Sequence, residues 1–185
     1  VANHSFGSLE LRSAHVYMTA VDEGAVLQIG RVELDGVSEL TLAAPADSSL
    51  VARVRLAEVV GTSDGTIRVK PNTSVSIENT TVVSAASVQV EAFGEIVTPP
   101  SVAFDGTELE LAGTLSGART LRMGSGSTLT LHVGAAYNLS LLMLNGSSPS
   151  LTLPDQMVLD VGRAAIETGT VSVSGQVVVR AGSLV

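Results

Sequence analysis

Leu121-Arg122-Met123-Gly124-Ser125-Gly126-Ser127-Thr128-Leu129-Thr130-Leu131 is the stretch that decides the fold. Two apolar-x-apolar triplets flank a Gly/Ser turn. Alternation of period two marks a half-buried strand, and four such turn residues permit a sharp bend. The second triplet begins eight residues after the first. That spacing is too short for an intervening helix and predicts two strands on adjacent faces of one coil. Val32-Glu33-Leu34 followed by Leu40-Thr41-Leu42, and Val171-Ser172-Val173 followed by Val177-Val178-Val179, repeat the arrangement.

Outward from this stretch the triplets continue along the chain. They are Val32–Leu34, Val51-Ala52-Arg53 running on to Leu56, Ile67-Arg68-Val69, Val88-Gln89-Val90, Val102-Ala103-Phe104, Leu121–Met123, Leu139-Ser140-Leu141, Leu151-Thr152-Leu153 and Val171–Val173. Their mean spacing is about 17 residues, which predicts stacked coils of short strands. The expected fold is all-β, a single parallel β-helix or β-solenoid of about 9 coils forming a rod of about 45 Å. Asp35-Gly36, Asp64-Gly65, Asp105-Gly106, Ser125-Gly126, Asn145-Gly146 and Ser174-Gly175 supply turns. Pro45, Pro71, Pro99, Pro100, Pro149 and Pro154 are expected at coil corners, where no ladder hydrogen bond is lost. Residues 1–31 are the least regular and read as an N-terminal cap or first coil. Residues 32–185 read as the solenoid, a segment of a longer chain. The alternative arrangement is two β-sandwich domains meeting near Pro99-Pro100.

Composition fits a narrow tube. Of 185 residues, 45% are apolar but only 3% aromatic, with no Trp, so aliphatic side chains must fill the interior. A net charge of -8 argues against nucleic acid, whose phosphates demand Lys and Arg clusters. Cysteine is absent, which excludes disulfides and thiolate metal sites. No apolar run approaches the ~20 residues of a membrane-spanning helix. Five N-x-Ser/Thr triplets begin at Asn3, Asn72, Asn79, Asn138 and Asn145. Their density makes these asparagines N-glycosylation candidates and points to an extracellular or cell-surface setting.

With the Leu-x-Leu and Asp-Gly signals in view, residues 32–185 resemble parallel β-helix proteins of the pectin-lyase-like type and, more generally, repetitive extracellular adhesins and surface filaments. The resemblance is one of architecture. It implies a rigid scaffold, or alternatively an enzyme acting on polysaccharides.

Residues that could carry chemistry are few. A polysaccharide-acting site would draw on Arg68, Lys70, Glu108 and Glu110. Alternate residues on one strand place Glu108 and Glu110 about 7 Å apart, a separation within the inverting-glycosidase range. His4, His15 and His132 lack metal-ligand spacing, so no metal or cofactor is expected. Asp22-Glu23 and the Asp155–Asp160 segment could hold an ion only weakly. Gly124–Thr128 reads as a coil corner, without the ending or context of a phosphate loop. The middle residues of successive triplets, from Glu33 through Arg68 to Ser172, mix charge and size, so no regular hydroxyl ladder of the ice-binding kind is expected. Scattered Phe6, Tyr17, Phe93, Phe104 and Tyr137 offer no stacking platform.

The function expected from these readings is that of an extracellular structural or adhesive protein: a rigid glycosylated spacer or filament block, with no catalytic role. Its partners would be other copies or neighbouring domains of a surface assembly. A glycan- or protein-binding sandwich module is the further alternative.

Overall fold

A computed structural model describes residues 4–19, 26–45, 51–61, 64–79, 82–84, 87–173 and 178–184, and within them only strands and turns occur. The strands wind into three sheets, which form the faces of a triangular tube. Face A holds β1 (His4–Arg12), β3 (Val26–Asp35), β5 (Ala52–Gly61), β7 (Thr73–Ile77), β10 (Glu95–Val97), β13 (Thr114–Ser116) and β16 (Ala136–Tyr137). Face B holds β2 (His15–Thr19), β4 (Ser38–Ala43), β6 (Gly65–Val69), β9 (Ser87–Val90), β12 (Glu108–Leu111), β15 (Thr128–Leu131), β18 (Ser150–Leu153) and β20 (Thr170–Val173). Face C holds β8 (Val82–Val83), β11 (Ser101–Phe104), β14 (Thr120–Met123), β17 (Leu141–Leu144), β19 (Val158–Ile166) and β21 (Val178–Leu184). Pairing is parallel on all three faces.

Parallel neighbours require a long crossover. Here the crossover is the rest of the coil. Between β9 and β16 the connections hold only two to four residues, so each strand leads directly onto the next face. This parallel, in-register stacking rules out the two-sandwich alternative.

The coil is longer than the triplet spacing suggests. Glu108 pairs with Thr128, 20 residues on, while Ser38 pairs with Gly65, 27 residues on. Sheet B therefore contains about 7 turns, where about 9 coils were expected, and its eight strands span roughly 34 Å. The discrepancy has a simple cause. Val32 and Ala52 belong to strands of face A, Ile67 and Val88 lie on face B, and Val102 and Leu121 on face C. A count of triplets thus jumps between faces and understates the true period.

The bore is filled by like stacked on like. On face B the inward column runs Leu40, Ile67, Val88, Leu109, Leu129, Leu151, each paired in register with the next. On face A it runs Leu27, Val54, Val75, Ile96, Leu115. Phe104, 0% exposed, is the bulkiest of the fully buried side chains and stacks between Val83 and Met123 on face C. Its position there makes it a core residue, outside any binding surface.

Turn residues sort by edge. Asp105-Gly106, Ser125-Gly126 and Asn145-Gly146 lie between strands of face C and face B, whereas Asp35-Gly36 and Asp64-Gly65 lie where the long strands β3 and β5 of face A give way to face B. Gly106 and Gly126 take φ of +62° and +69°, a backbone region that L side chains resist. Just beyond them a buried hydroxyl ties one coil to its neighbour. Ser38 donates to the Leu11 carbonyl, Thr107 to that of Val83 and Ser127 to that of Phe104. All six prolines lie outside the strands. Ser174-Gly175 is outside the described residues.

Leu109 sits at the middle of the face B column with Val88 and Leu129 on either side. Truncating it as Leu109→Ala removes buried methyls and leaves a hole between rigid neighbours, so a loss of about 2–5 kcal/mol is expected. Urea titration checks this. Glu108→Ala, on the exposed side of the same strand, should change stability by about 0.5 kcal/mol or less.

Candidate functional site

On face B the outward residues form two columns. One runs His15, Glu39, Thr66, Ser87, Glu108, Thr128, Ser150, Thr170; the other runs Tyr17, Thr41, Arg68, Gln89, Glu110, Thr130, Thr152, Ser172. The face divides into a charged half and a hydroxyl half.

In the charged half, Glu39 is the hub. Thr41 donates its hydroxyl to Glu39 Oε1 at 2.8 Å, His15 Nδ1 lies 3.5 Å from Oε2, and Arg68 Nε lies 3.2 Å from Oε1. The Arg68 contact is an ion pair without hydrogen-bond alignment. Lys70 reaches Glu91 at 2.6 Å, and Arg68 Nη1 approaches the same oxygen at 3.8 Å. The Thr41 hydroxyl is the main cause that lowers the Glu39 pKa; partial burial opposes it, and the charges of Arg68 and His15 add to it.

Arg68, Lys70, Glu108 and Glu110 therefore share one side of the tube but do not line a common groove. Arg68 and Lys70 are engaged by Glu39 and Glu91. Glu110 instead borders a hollow of about 230 Å³ with Gln89, Glu91, Ala112 and His132. The hollow has a clear origin in chain length. Only Ala112 and Gly113 connect β12 to β13, whereas four residues make the same connection in the coils on either side. A Cβ on Gly113 would press into the carbonyl oxygens of Glu91 and Gly94, so the short crossing requires glycine. Phe93, at φ +64° and 85% exposed, projects from the turn that walls the hollow.

The hydroxyl half departs from expectation. Thr128, Ser150 and Thr170 align in one column and Thr130, Thr152 and Ser172 in the other, with Ser150 donating to Thr128 at 2.9 Å. A regular ladder does exist over three coils. It was hidden because the triplet midpoints compared in sequence lie on different faces.

The glycosylation candidates in the described residues all lie at edges of the tube. Asn72 occupies the B-to-A edge at φ +56° and is exposed; Asn79 and Asn138 are exposed on the A-to-C edge. Asn145, on the C-to-B edge, is half-buried and accepts a 2.7 Å bond from Arg122 Nε. Asn3 lies outside the described residues, as do Asp22 and Glu23. Asp155 Oδ1 accepts from the Gln156 amide, a turn-stabilising role. His4 is exposed on β1. Among the described residues no group of three or more His, Asp or Glu could hold a metal ion, and no helix is long and apolar enough to cross a membrane.

A second concavity lies on the A-to-C edge. It measures about 380 Å³ and is walled by Thr114–Arg119 and Ala136–Asn138. Tyr137 is among its lining residues, where the ladder of face A stops at β16. Its hydroxyl donates to the Val158 carbonyl at 3.2 Å and so bridges to the following coil in place of strand pairing. Half-burial raises the Tyr137 pKa; the hydrogen bond from the Asp160 backbone opposes the shift and the Asp160 charge adds to it.

Comparison with protein-family models, curated proteins and solved structures finds no match to any of them.

Because the folded pKa of Glu39 is lowered, its ionised form stabilises the fold at pH above the unfolded value, and that contribution disappears as pH falls through the folded value. Carbon-13 NMR titration should place its midpoint below that of ordinary glutamates. Thr41→Val should move the midpoint up, whereas Ser172→Ala, far along the same column, should leave it in place.

Proposed function

We propose that this chain is an extracellular structural or adhesive segment, a rigid glycosylated spacer or filament block without a catalytic role. One observation carries the reading: the in-register aliphatic columns that run through the bore. A tube built this way grows by equal increments, holds its ends a fixed distance apart, and asks nothing of its surface beyond solubility. Repetitive adhesins and surface filaments, whose architecture it resembles, use such rods as spacers.

Two further observations support the assembly role. Leu9, Val16 and Met18 of the first described coil are only partly covered, and Phe6 is exposed, although their columns continue into the fully buried Ile29, Val32, Leu40 and Leu42. Another β element stacked on that end would bury them, whether it comes from a second copy or from a neighbouring domain. The sequon asparagines at the tube edges stand where attached sugars would not interrupt the ladders. The acidic balance fits a soluble surface that repels polyanions.

Antibodies raised against this chain test the reading on intact cells of its source. Surface labelling without permeabilisation, together with a mass loss of the native protein on glycosidase treatment, is the expected result. Labelling that appears only after permeabilisation, with no mass change, would overturn it.

A further inference from the structure

We infer that the concavity on the A-to-C edge is a cradle for the first sugar of a glycan carried by Asn138. The inference rests on the glycosylated reading above and sharpens it to one site. Of the described sequon asparagines, Asn138 is the one that lines this concavity. Asn72 and Asn79 stand exposed on edges, and Asn145 has its amide oxygen held by Arg122.

The walls suit a pyranose ring. Thr114, Ser116, Arg119 and Tyr137 all line the concavity, which brings two hydroxyl-bearing side chains, a guanidinium and an aromatic ring to the one cleft. Ser116 already donates to Glu95 Oε1 at 2.7 Å, leaving its oxygen as an acceptor. Arg119 is exposed, and among the described residues its guanidinium has no side-chain partner. Most other cations here are committed, as Arg31 is to Glu58, Arg55 to Glu78 and Lys70 to Glu91. A guanidinium carries five N–H donors, which match the hydroxyl and acetamido oxygens of an N-acetylated sugar. The volume of about 380 Å³ falls at the lower end of small-ligand clefts, ~300–1,000 Å³.

The covalent step is ordinary group transfer. Asn138 Nδ2 forms a bond to C1 of the sugar of a lipid-pyrophosphate-linked oligosaccharide. The bond from C1 to the pyrophosphate breaks, the lipid pyrophosphate leaves with its electron pair, and the amide nitrogen gives up one proton. The seated sugar would then cover the last rung of the face A ladder, where β13 pairs with β16 and the Tyr137 hydroxyl takes over the link to the following coil.

The test uses the full chain secreted from a eukaryotic host, with site occupancy read by peptide mass spectrometry. Native protein is then treated with an endoglycosidase that cuts within the sugar core, and release is timed site by site. The cradle predicts that Asn138 is occupied and that its glycan is released roughly tenfold more slowly than that of Asn79, because cleavage must await local opening. Arg119→Gln and Thr114→Val should each bring the Asn138 rate toward that of Asn79, and denaturation should erase the difference. An empty Asn138 beside an occupied Asn79, or equal native rates, would overturn the cradle alone. Emptiness at every sequon would overturn the glycosylated reading with it.

Discussion

Everything in this tube depends on one constraint: each coil must return to its starting edge displaced by a single strand spacing. Only then do Leu109 and Leu129, or Ile96 and Leu115, meet side chain to side chain. A slip of one residue would turn every aliphatic side chain on that strand outward. The columns therefore fix the register and the register fills the columns. Backbone bonds continue the ladder through the corners, as Glu91 to the Val69 carbonyl, Ala112 to Val90 and His132 to Leu111. Aliphatic residues are enough for such a bore, since each stacked position is a small, repeated shape.

The edges carry the sequence constraints that the faces do not. At three corners leading into face B, an Asp or Ser before glycine makes the turn, and a hydroxyl behind it satisfies a carbonyl of the preceding coil. Burying Ser38, Thr107 and Ser127 is tolerable because each hydroxyl finds a backbone acceptor. The B-to-A edge varies in length instead, and its shortest crossing opens the hollow beside Glu110 and His132. The Asn138 concavity has a different setting, beside a β16 only two residues long at the end of the face A ladder.

Much of the architecture was legible in the sequence. The alternation in Leu129-Thr130-Leu131 predicted a half-buried strand, and the shortage of aromatic residues predicted a narrow bore. What escaped was the identity of each face. Val32 and Ile67 look alike as letters, yet one faces the bore from face A and the other from face B. Their difference is set by how many residues each corner consumes, which varies with the turn. The same ambiguity hid the hydroxyl columns of Thr128, Ser150 and Thr170, because register cannot be read from spacing that drifts between 20 and 27 residues. The ion-pair hub at Glu39 was equally hidden, since His15, Thr41 and Arg68 come together only through coil stacking. The Asn138 sequon was visible, but its concavity was not.

Cross-linking measures the stacking most directly, and the absence of native cysteine makes it clean. Thr130 and Thr152 are register partners on adjacent coils, both outward on face B. Paired strands bring such positions within the ~4.4–6.8 Å Cα separation that a disulfide needs. The double variant Thr130→Cys with Thr152→Cys should oxidise readily in the native protein, while Thr130→Cys with Ser172→Cys, two coils apart, should not. Equal oxidation of both pairs, or none in the first, would contradict the parallel in-register tube.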